Sequence, residues 1–153
     1  MNIRLATEND IPQLNQLKQR TDTERYQKRV KDTQEGNAAY LIAAENGEIL
    51  GHLFLKFYGT PRDPDYPNME DLFVREDLRG KGLGTKLIKE SERIARDKGF
   101  NKIGMSVNPT LNPKAKSLYE RLGYKDLGRK PRLDGVYDGV EDWCLDMDKE
   151  IEW

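Results

Sequence analysis

Between Leu72 and Leu87 the hydrophobic period of the chain switches from that of a strand to that of a helix, across a turn built on three glycines. Leu72-Phe73-Val74 is an apolar, strand-forming run, and Leu83, Leu87, Ser91, Ile94 and Ala95 recur at helical spacing, with Gly80, Gly82 and Gly84 at alternate positions where the two meet. A strand that enters a helix through such a turn leaves the first helical N–H groups without partners inside the helix. They face one small volume, where the helix dipole also favours an anion. Three glycines give up more backbone entropy than a plain strand-to-helix turn with basic surface residues requires, so a close approach to the backbone is the better reading. Spacing excludes two phosphate loops. The Gly-Lys pair of the turn, Gly80-Lys81, is followed by Gly82 and not by Ser or Thr, so the Walker pattern fails. The dinucleotide fingerprint needs Gly or Ala three residues after its second glycine, where Thr85 or Leu87 stands instead.

The rest of the chain supplies a scaffold for that turn. Ile3-Arg4-Leu5-Ala6 alternates as a short strand, and Asn9-Asp10-Ile11-Pro12 caps a helix whose Ile11, Leu14 and Leu17 share one face. Thr21 to Gly36 reads as a second, largely exposed helix. Tyr40 to Glu45 and Ile49 to Tyr58 are β-favouring runs joined by Asn46-Gly47, a strong hairpin signal. Gly59 to Asn68 holds Pro61, Pro64 and Pro67 and must be a loop, with Met69 to Val74 the next strand. The helix that starts near Gly82 should stop at Lys98-Gly99. Ile103 to Asn108 reads as a buried strand, Ala115, Leu118, Tyr119 and Leu122 as a helical stripe closed by Gly123, and Tyr124 to Gly128 and Asp142 to Met147 as two last strands. There is no internal repeat. This order predicts a single α+β or mixed-sheet α/β domain over residues 1–153, with a central β-α-β unit at about 69–108.

Composition narrows the chemistry. A chain of 153 residues buries about two thirds of its unfolded surface and needs no disulfide staple. Cys144 is the sole cysteine and His52 the sole histidine, so no zinc site can be assembled and no metal is expected, while a catalytic cysteine stays open with His52 as its one possible histidine partner. Cys144 reads as a small core residue and His52 as a half-buried or surface strand residue. The longest apolar runs fall short of the roughly 20 residues a membrane helix needs, and Met1 to Asp10 lacks a signal-peptide core, so a cytoplasmic protein without a membrane partner is expected. The net charge of -1 hides a gradient: -3 over residues 1–74, +9 over 75–133 and -7 over 134–153. The basic block is either a solvated face or a landing site for a polyanion. Nucleic acid is not the expected one, because the pI is about 6.0 and the block lacks closely spaced aromatics.

The turn does fit Arg-x-x-Gly-x-Gly, read from Arg79 to Gly84, and downstream Asn112-Pro113-Lys114-Ala115-Lys116-Ser117-Leu118-Tyr119-Glu120-Arg121-Leu122-Gly123-Tyr124 fits Asn-x-x-Ala-x-x-x-Tyr-x-x-x-Gly-Tyr. In both, and in their order and separation, the chain resembles the GNAT superfamily of N-acetyltransferases. Ile3 to Leu17 and Trp143 to Lys149 resemble the first strand and helix and the last strand of that family, so the likeness extends over nearly the whole chain. It implies a mostly antiparallel sheet of six to seven strands with flanking helices around a β-α-β core that binds acetyl-CoA as co-substrate. The implied cofactor-binding residues are Leu72, Phe73 and Val74 on the strand, Arg79, Gly80, Lys81, Gly82, Leu83, Gly84 and Thr85 in the turn, and Asn112. Glu70-Asp71-Leu72-Phe73-Val74 is similar to the strand that carries a glutamate base in diamine acetyltransferases, which makes Glu70 the candidate base and Asp71 its rival. Without the resemblance Glu70 is an exposed strand residue and Tyr119 a core aromatic.

The resemblance also implies the chemistry: direct attack of a primary amine on the thioester in a ternary complex. One strand N–H, that of Val74, would polarise the carbonyl, and Tyr119 would give a proton to the departing thiolate. A carboxylate of ordinary pKa is a weak base toward an ammonium near pKa 10, so Glu70 would act through burial, a water relay or an already depressed amine. The +9 segment holds both motifs and suits the phosphates of CoA. The acidic C-terminal run reads as a solvated rim or as a field for a cationic acceptor. Polyamine, aminoglycoside, amino-acid and protein-lysine acceptors all stay open, the loop Gly59 to Asn68 is placed to border the acceptor and to order on binding, and a homodimer is a family-level expectation. The other reading is a non-catalytic CoA-binding regulatory module.

Overall fold

The computed structural model of the chain describes residues 1–17 and 22–151. Thr21, assigned above to the second helix, and Glu152, part of the acidic run, lie outside the described residues. The elements are β1 (Asn2–Leu5), α1 (Ile11–Leu17), α2 (Thr23–Gln34), β2 (Ala38–Glu45), β3 (Glu48–Lys56), β4 (Asn68–Val74), α3 (Leu83–Asp97), β5 (Lys102–Val107), α4 (Pro113–Arg121), β6 (Lys125–Asp126), β7 (Arg132–Tyr137) and β8 (Val140–Glu150). The sheet runs β1-β2-β3-β4-β5-β8-β6, with β7 also paired to β8. Every pair is antiparallel except β4 with β5.

The local signals hold where backbone chemistry dictates them. Asn46 and Gly47 both take positive φ between β2 and β3, the geometry a two-residue hairpin needs. The α3 helix ends at the basic Lys98 with Gly99 in the left-handed region, and α4 is likewise closed by Gly123 at positive φ. β2 is buried along nearly its whole length, as its unbroken apolar run requires. Ala39, Leu41 and Ala43 pack with Leu87 and Ile88 of α3, while Tyr40, Ile42 and Ala44 pack with Leu14, Tyr26 and Val30 of α1 and α2.

Four expectations change. The sheet has eight strands, not six to seven, because Arg132–Tyr137 pairs with an eleven-residue β8 across a second tight turn at Asp138-Gly139. That Asp-Gly pair is itself a hairpin signal. The second helix is not largely exposed: Tyr26, Arg29 and Val30 form one buried face. His52 is fully buried, its ring stacked 5.5 Å from Phe73 and edge-on to Tyr40 at 5.5 Å. The acidic run is a solvated rim only in part: Asp134, Asp138, Glu141 and Glu150 are exposed, whereas β8 lies inside the sheet and Asp146 is buried among arginines.

The parallel pair opens the molecule. β4 and β5 share register only at Asn68 with Gly104 and Met69 with Met105, and then part. Pro67 accepts the Gly104 N–H at 2.9 Å and closes the narrow end of the resulting wedge.

Candidate active site

A cleft of about 1700 Å³ passes through this wedge. Its walls are Met69 to Leu72 of β4, Met105 to Asn108 around the end of β5, Ala115, Leu118 and Tyr119 of α4, and Arg29 and its neighbours on α2. Glu70 and Tyr119, 49 positions apart in sequence, therefore stand on one cleft. Asn112 lines it too, as the residue that opens α4. Leu72 lines it, whereas Phe73 and Val74 lie beyond its wall, as do Arg79 to Thr85 of the turn.

β4 is not a regular strand beside the cleft. Phe54 of β3 faces Glu70 and His52 faces Phe73, so Leu53 alone opposes both Asp71 and Leu72. The extra residue is a bulge, and Asp71 takes φ +55. A bulge withdraws backbone groups from the ladder, and here it does so at the cleft wall.

The carboxylates next to the bulge have different partners. Glu70 Oε2 accepts from Asn68 Nδ2 at 3.0 Å and is 2.8 Å from Lys56 Nζ. Its Oε1 makes no hydrogen bond among the described residues. Asp71 is held by Arg29 Nη1 at 2.8 Å. Burial opposes the charge of Arg29, but the attraction of Asp71, helped by Tyr40, outweighs it and raises its pKa, so the guanidinium stays charged.

Tyr119 is 7% exposed and meets Tyr124 edge-on at 6.1 Å. It belongs to the core and to the cleft at once. Its hydroxyl makes no hydrogen bond among the described residues, and burial pushes its pKa up to about 12. A phenol of that kind stays protonated and is a hydrogen-bond donor in want of an acceptor.

In the glycine turn, Gly80 and Gly82 take positive φ, and Gly82 caps the N-terminus of α3. An added Cβ at Gly82 would meet nothing within 4 Å, so its requirement is purely one of backbone conformation. Gly84 differs: a Cβ there would lie 3.7 Å from Leu72 and 3.9 Å from Val74, ordinary packing distances, so alanine fits where α3 meets β4. Arg79 turns back, donating from Nε to the Val74 carbonyl at 2.9 Å with its guanidinium 5.7 Å from the Phe73 ring. Lys81 is exposed, and Leu83 is buried in the core.

Sequence reading missed the residues that brace the opposite wall. Asp146 accepts from Ser106 Oγ at 2.9 Å, Arg62 at 3.0 Å, Arg132 Nε at 3.2 Å and Arg129 at 3.3 Å. Burial opposes ionisation there, yet the Ser106 and Arg62 hydrogen bonds and the Arg132 charge hold its pKa below the usual range. Arg129 also grips Asp63 at 2.7 Å, and Tyr66 donates to Asp148 at 3.4 Å, so the loop Gly59 to Asn68 is already tied down and contributes Thr60, Pro61 and Arg62 to the cleft. Within the C-terminal run Asp146 and Asp134 are thus held by arginines, while Asp134, Asp138 and Asp142 line the cleft. Cys144 is buried 3.4 Å from Asp142, and burial, reinforced by the Asp142 charge, pushes its thiol up to about 12, which rules it out as a nucleophile at neutral pH.

A mixed sheet split at its parallel pair, with a glycine turn at the head of the intervening helix, is the arrangement that the two sequence motifs implied. A model described as the Acetyltransferase (GNAT) family matches residues 6–124, and the chain belongs to that family. Among solved structures, yncA of Salmonella typhimurium, a putative acetyltransferase with its cofactor acetyl-CoA, superposes with a TM-score of 0.81 at 20% identity over 100% of this chain and 95% of that one. The PaiA N-acetyltransferase of Thermoplasma acidophilum, in complex with coenzyme A, gives 0.74 at 17% identity over 97% and 98%. At such identities the likeness shows the fold. The thialysine N-epsilon-acetyltransferase of Sus scrofa is 41% identical over 59 residues, 39% of this chain and 34% of that protein, so the chain spans about a third of that relative's length. The uncharacterized N-acetyltransferase YhfO of Bacillus subtilis is 35% identical over 89 residues, 56% and 58% of the two chains. No helix among the described residues is long and apolar enough to cross a membrane.

Proposed function

We propose that the chain is an acetyl-CoA-dependent N-acetyltransferase that moves the acetyl group to a primary amine of a small molecule or peptide by direct attack in a ternary complex. The observation that carries this is the single cleft between the parting β4 and β5, on which a carboxylate, Glu70, a free phenol, Tyr119, and the β4 bulge all stand. Gly82, Leu83, Gly84 and Thr85 offer the N-terminal N–H groups of α3 to the pyrophosphate, with Lys81 beside them, and the pantetheine arm follows β4 toward the wedge. Acetyl-CoA supplies the activated thioester when bound. Because Leu72 lines the cleft and Val74 does not, the N–H assigned to the thioester carbonyl is that of Leu72, the first residue after the left-handed Asp71. One such donor is worth about 3 kcal/mol when aimed at the developing oxyanion.

Glu70 removes the amine proton directly or through water, using the Oε1 that Lys56 and Asn68 leave alone. Lys56 and Asn68 then act as its orienting partners. Tyr119 donates to the sulfur as the carbon–sulfur bond breaks, and no acyl-enzyme is required because the two substrates are held together. The thialysine enzymes, named for transfer to a side-chain nitrogen, support an amine at the end of a flexible chain. Glu70 and the C-terminal Asp134, Asp138 and Asp142 line the cleft, which supports a cationic acceptor. A panel of diamines, amino acids, aminoglycosides and lysine peptides, followed by release of free CoA thiol, identifies the acceptor. Glu70→Gln keeps the side-chain shape and should lower kcat by about 100-fold or more while removing the basic dependence of kcat/KM on pH. Retention of that pH dependence would move the base elsewhere.

A further inference from the structure

We infer that Arg29 is a positioning residue for acetyl transfer: through Asp71 it fixes the left-handed turn of β4 that aims the Leu72 N–H into the cleft. The inference rests on the acetyltransferase reading above and extends it to a residue outside both family motifs.

Three non-glycine residues take positive φ among those described. Asn46 and Asp138 do so in hairpin turns, each followed by a glycine. Asp71 does so inside a strand, where no turn demands a conformation that strains an L-residue. Such a conformation persists only where its surroundings over-determine it. Arg29 is one surrounding group that reaches it. The guanidinium is 2.8 Å from Asp71 Oδ2, lies 5.4 Å from the Tyr40 ring and 5.2 Å from the Phe54 ring, and the residue is 8% exposed. It rides on the buried face of α2 between Tyr26 and Val30, so its own position is set by the core.

A buried ion pair is a poor device for stability, because desolvating the two charges opposes their attraction and an apolar pair of the same volume often does as well. What the pair does supply is direction. The peptide unit joining Asp71 to Leu72 carries the Leu72 N–H, and its plane turns with the Asp71 backbone. Fixing the Asp71 carboxylate from α2 therefore fixes where that N–H points. An oxyanion donor is effective only when aimed before the charge develops. The same contact removes Asp71 from competition as proton acceptor, since its carboxylate is committed to a cation that does not titrate.

The test compares Arg29→Met, Asp71→Asn and the double variant with the wild-type chain for Tm, acetyl-CoA Kd, and kcat across pH. Asparagine tolerates the left-handed region, so Asp71→Asn removes charge without adding backbone strain. Each single variant should lose about 10- to 100-fold in kcat, with acetyl-CoA Kd within about twofold and the shape of the pH profile unchanged, and the double variant should be no worse than the poorer single. That non-additivity is the mark of one shared device. Should Arg29→Met fail to fold, Asp71→Gly keeps the positive φ at no strain and carries no carboxylate; it should fold and show the same loss of kcat. Wild-type kcat in a folded variant, or loss that tracks Tm alone, would make the pair structural and overturn the inference. Disappearance of the basic pH dependence in Asp71→Asn would make Asp71 the base and overturn it as well. A wild-type chain that binds no acetyl-CoA and acetylates no amine would overturn the acetyltransferase reading itself, a distinct result.

Discussion

Tyr119→Phe separates catalysis from packing because the structure assigns the hydroxyl no structural partner. The ring keeps its edge contact with Tyr124 at 6.1 Å and its place in the core, and no hydrogen bond among the described residues is lost. A change within about 0.5 kcal/mol follows, which for a domain of this size moves Tm by less than about 2 °C. Turnover should respond differently. General acid catalysis contributes between about 10²- and 10⁴-fold, and a phenol pushed up to about 12 is a weak acid toward a thiolate, so the lower end applies. A loss near 100-fold corresponds to about 2.7 kcal/mol of transition-state stabilisation. Steady-state release of CoA thiol gives kcat, calorimetric titration gives the acetyl-CoA Kd, and a thermal melt gives Tm. The expected pattern is a large fall in kcat with Kd and Tm unchanged. Equal losses in kcat and Kd accompanied by a fall in Tm, or no loss of kcat, would show that Tyr119 only packs.

The two glycines of the α3 turn should behave differently. Gly82→Ala forces a side chain into φ +85 with no contact in compensation, so Tm should drop by roughly 2–4 °C and acetyl-CoA should bind more weakly. Gly84→Ala fits at 3.7 Å from Leu72 and should leave Tm unchanged or slightly higher, whereas Gly84→Leu should push α3 off β4 and weaken acetyl-CoA binding more than 10-fold; equal behaviour of the two sites would sink the distinction. Alkaline stability gives a third prediction. Tyr26, Tyr40, Tyr66, Tyr119 and Tyr124 all have pKa values raised chiefly by burial, Tyr119 to about 12, against about 10 in the unfolded chain. Between these values the unfolded chain has lost phenolic protons that the folded chain keeps. Stability is therefore full below pH 10 and falls as pH rises through 12. The urea midpoint at pH 11 should lie below that at pH 9, with tyrosinate absorbance rising on unfolding, and equal midpoints would refute it.

The amino-acid sequence by itself determined what depends on neighbours along the chain. Asn46-Gly47 sets a hairpin, Lys98-Gly99 ends α3, and Gly80, Gly82 and Gly84 let β4 turn into α3, because φ preference and hydrophobic period are local properties. The spacing of Tyr119 from Asn112 places one on α4 and the other at its N-cap in the same manner. Asp138-Gly139 carried the same kind of signal for β7, and the flanking Arg132 and Asp142 masked its alternation with charges that serve the interior. Tertiary structure alone decided the rest. The parting of β4 from β5 after Met69, the bulge at Asp71, the reach of Arg29 across 42 positions and the gathering of Arg62, Arg129 and Arg132 around Asp146 are all meetings of distant residues. No period encodes them. A charge run looks the same in sequence whether it faces water or partners, and only packing, by removing the water, set Asp146 of β8 among three arginines while Glu141 and Glu150 stayed exposed.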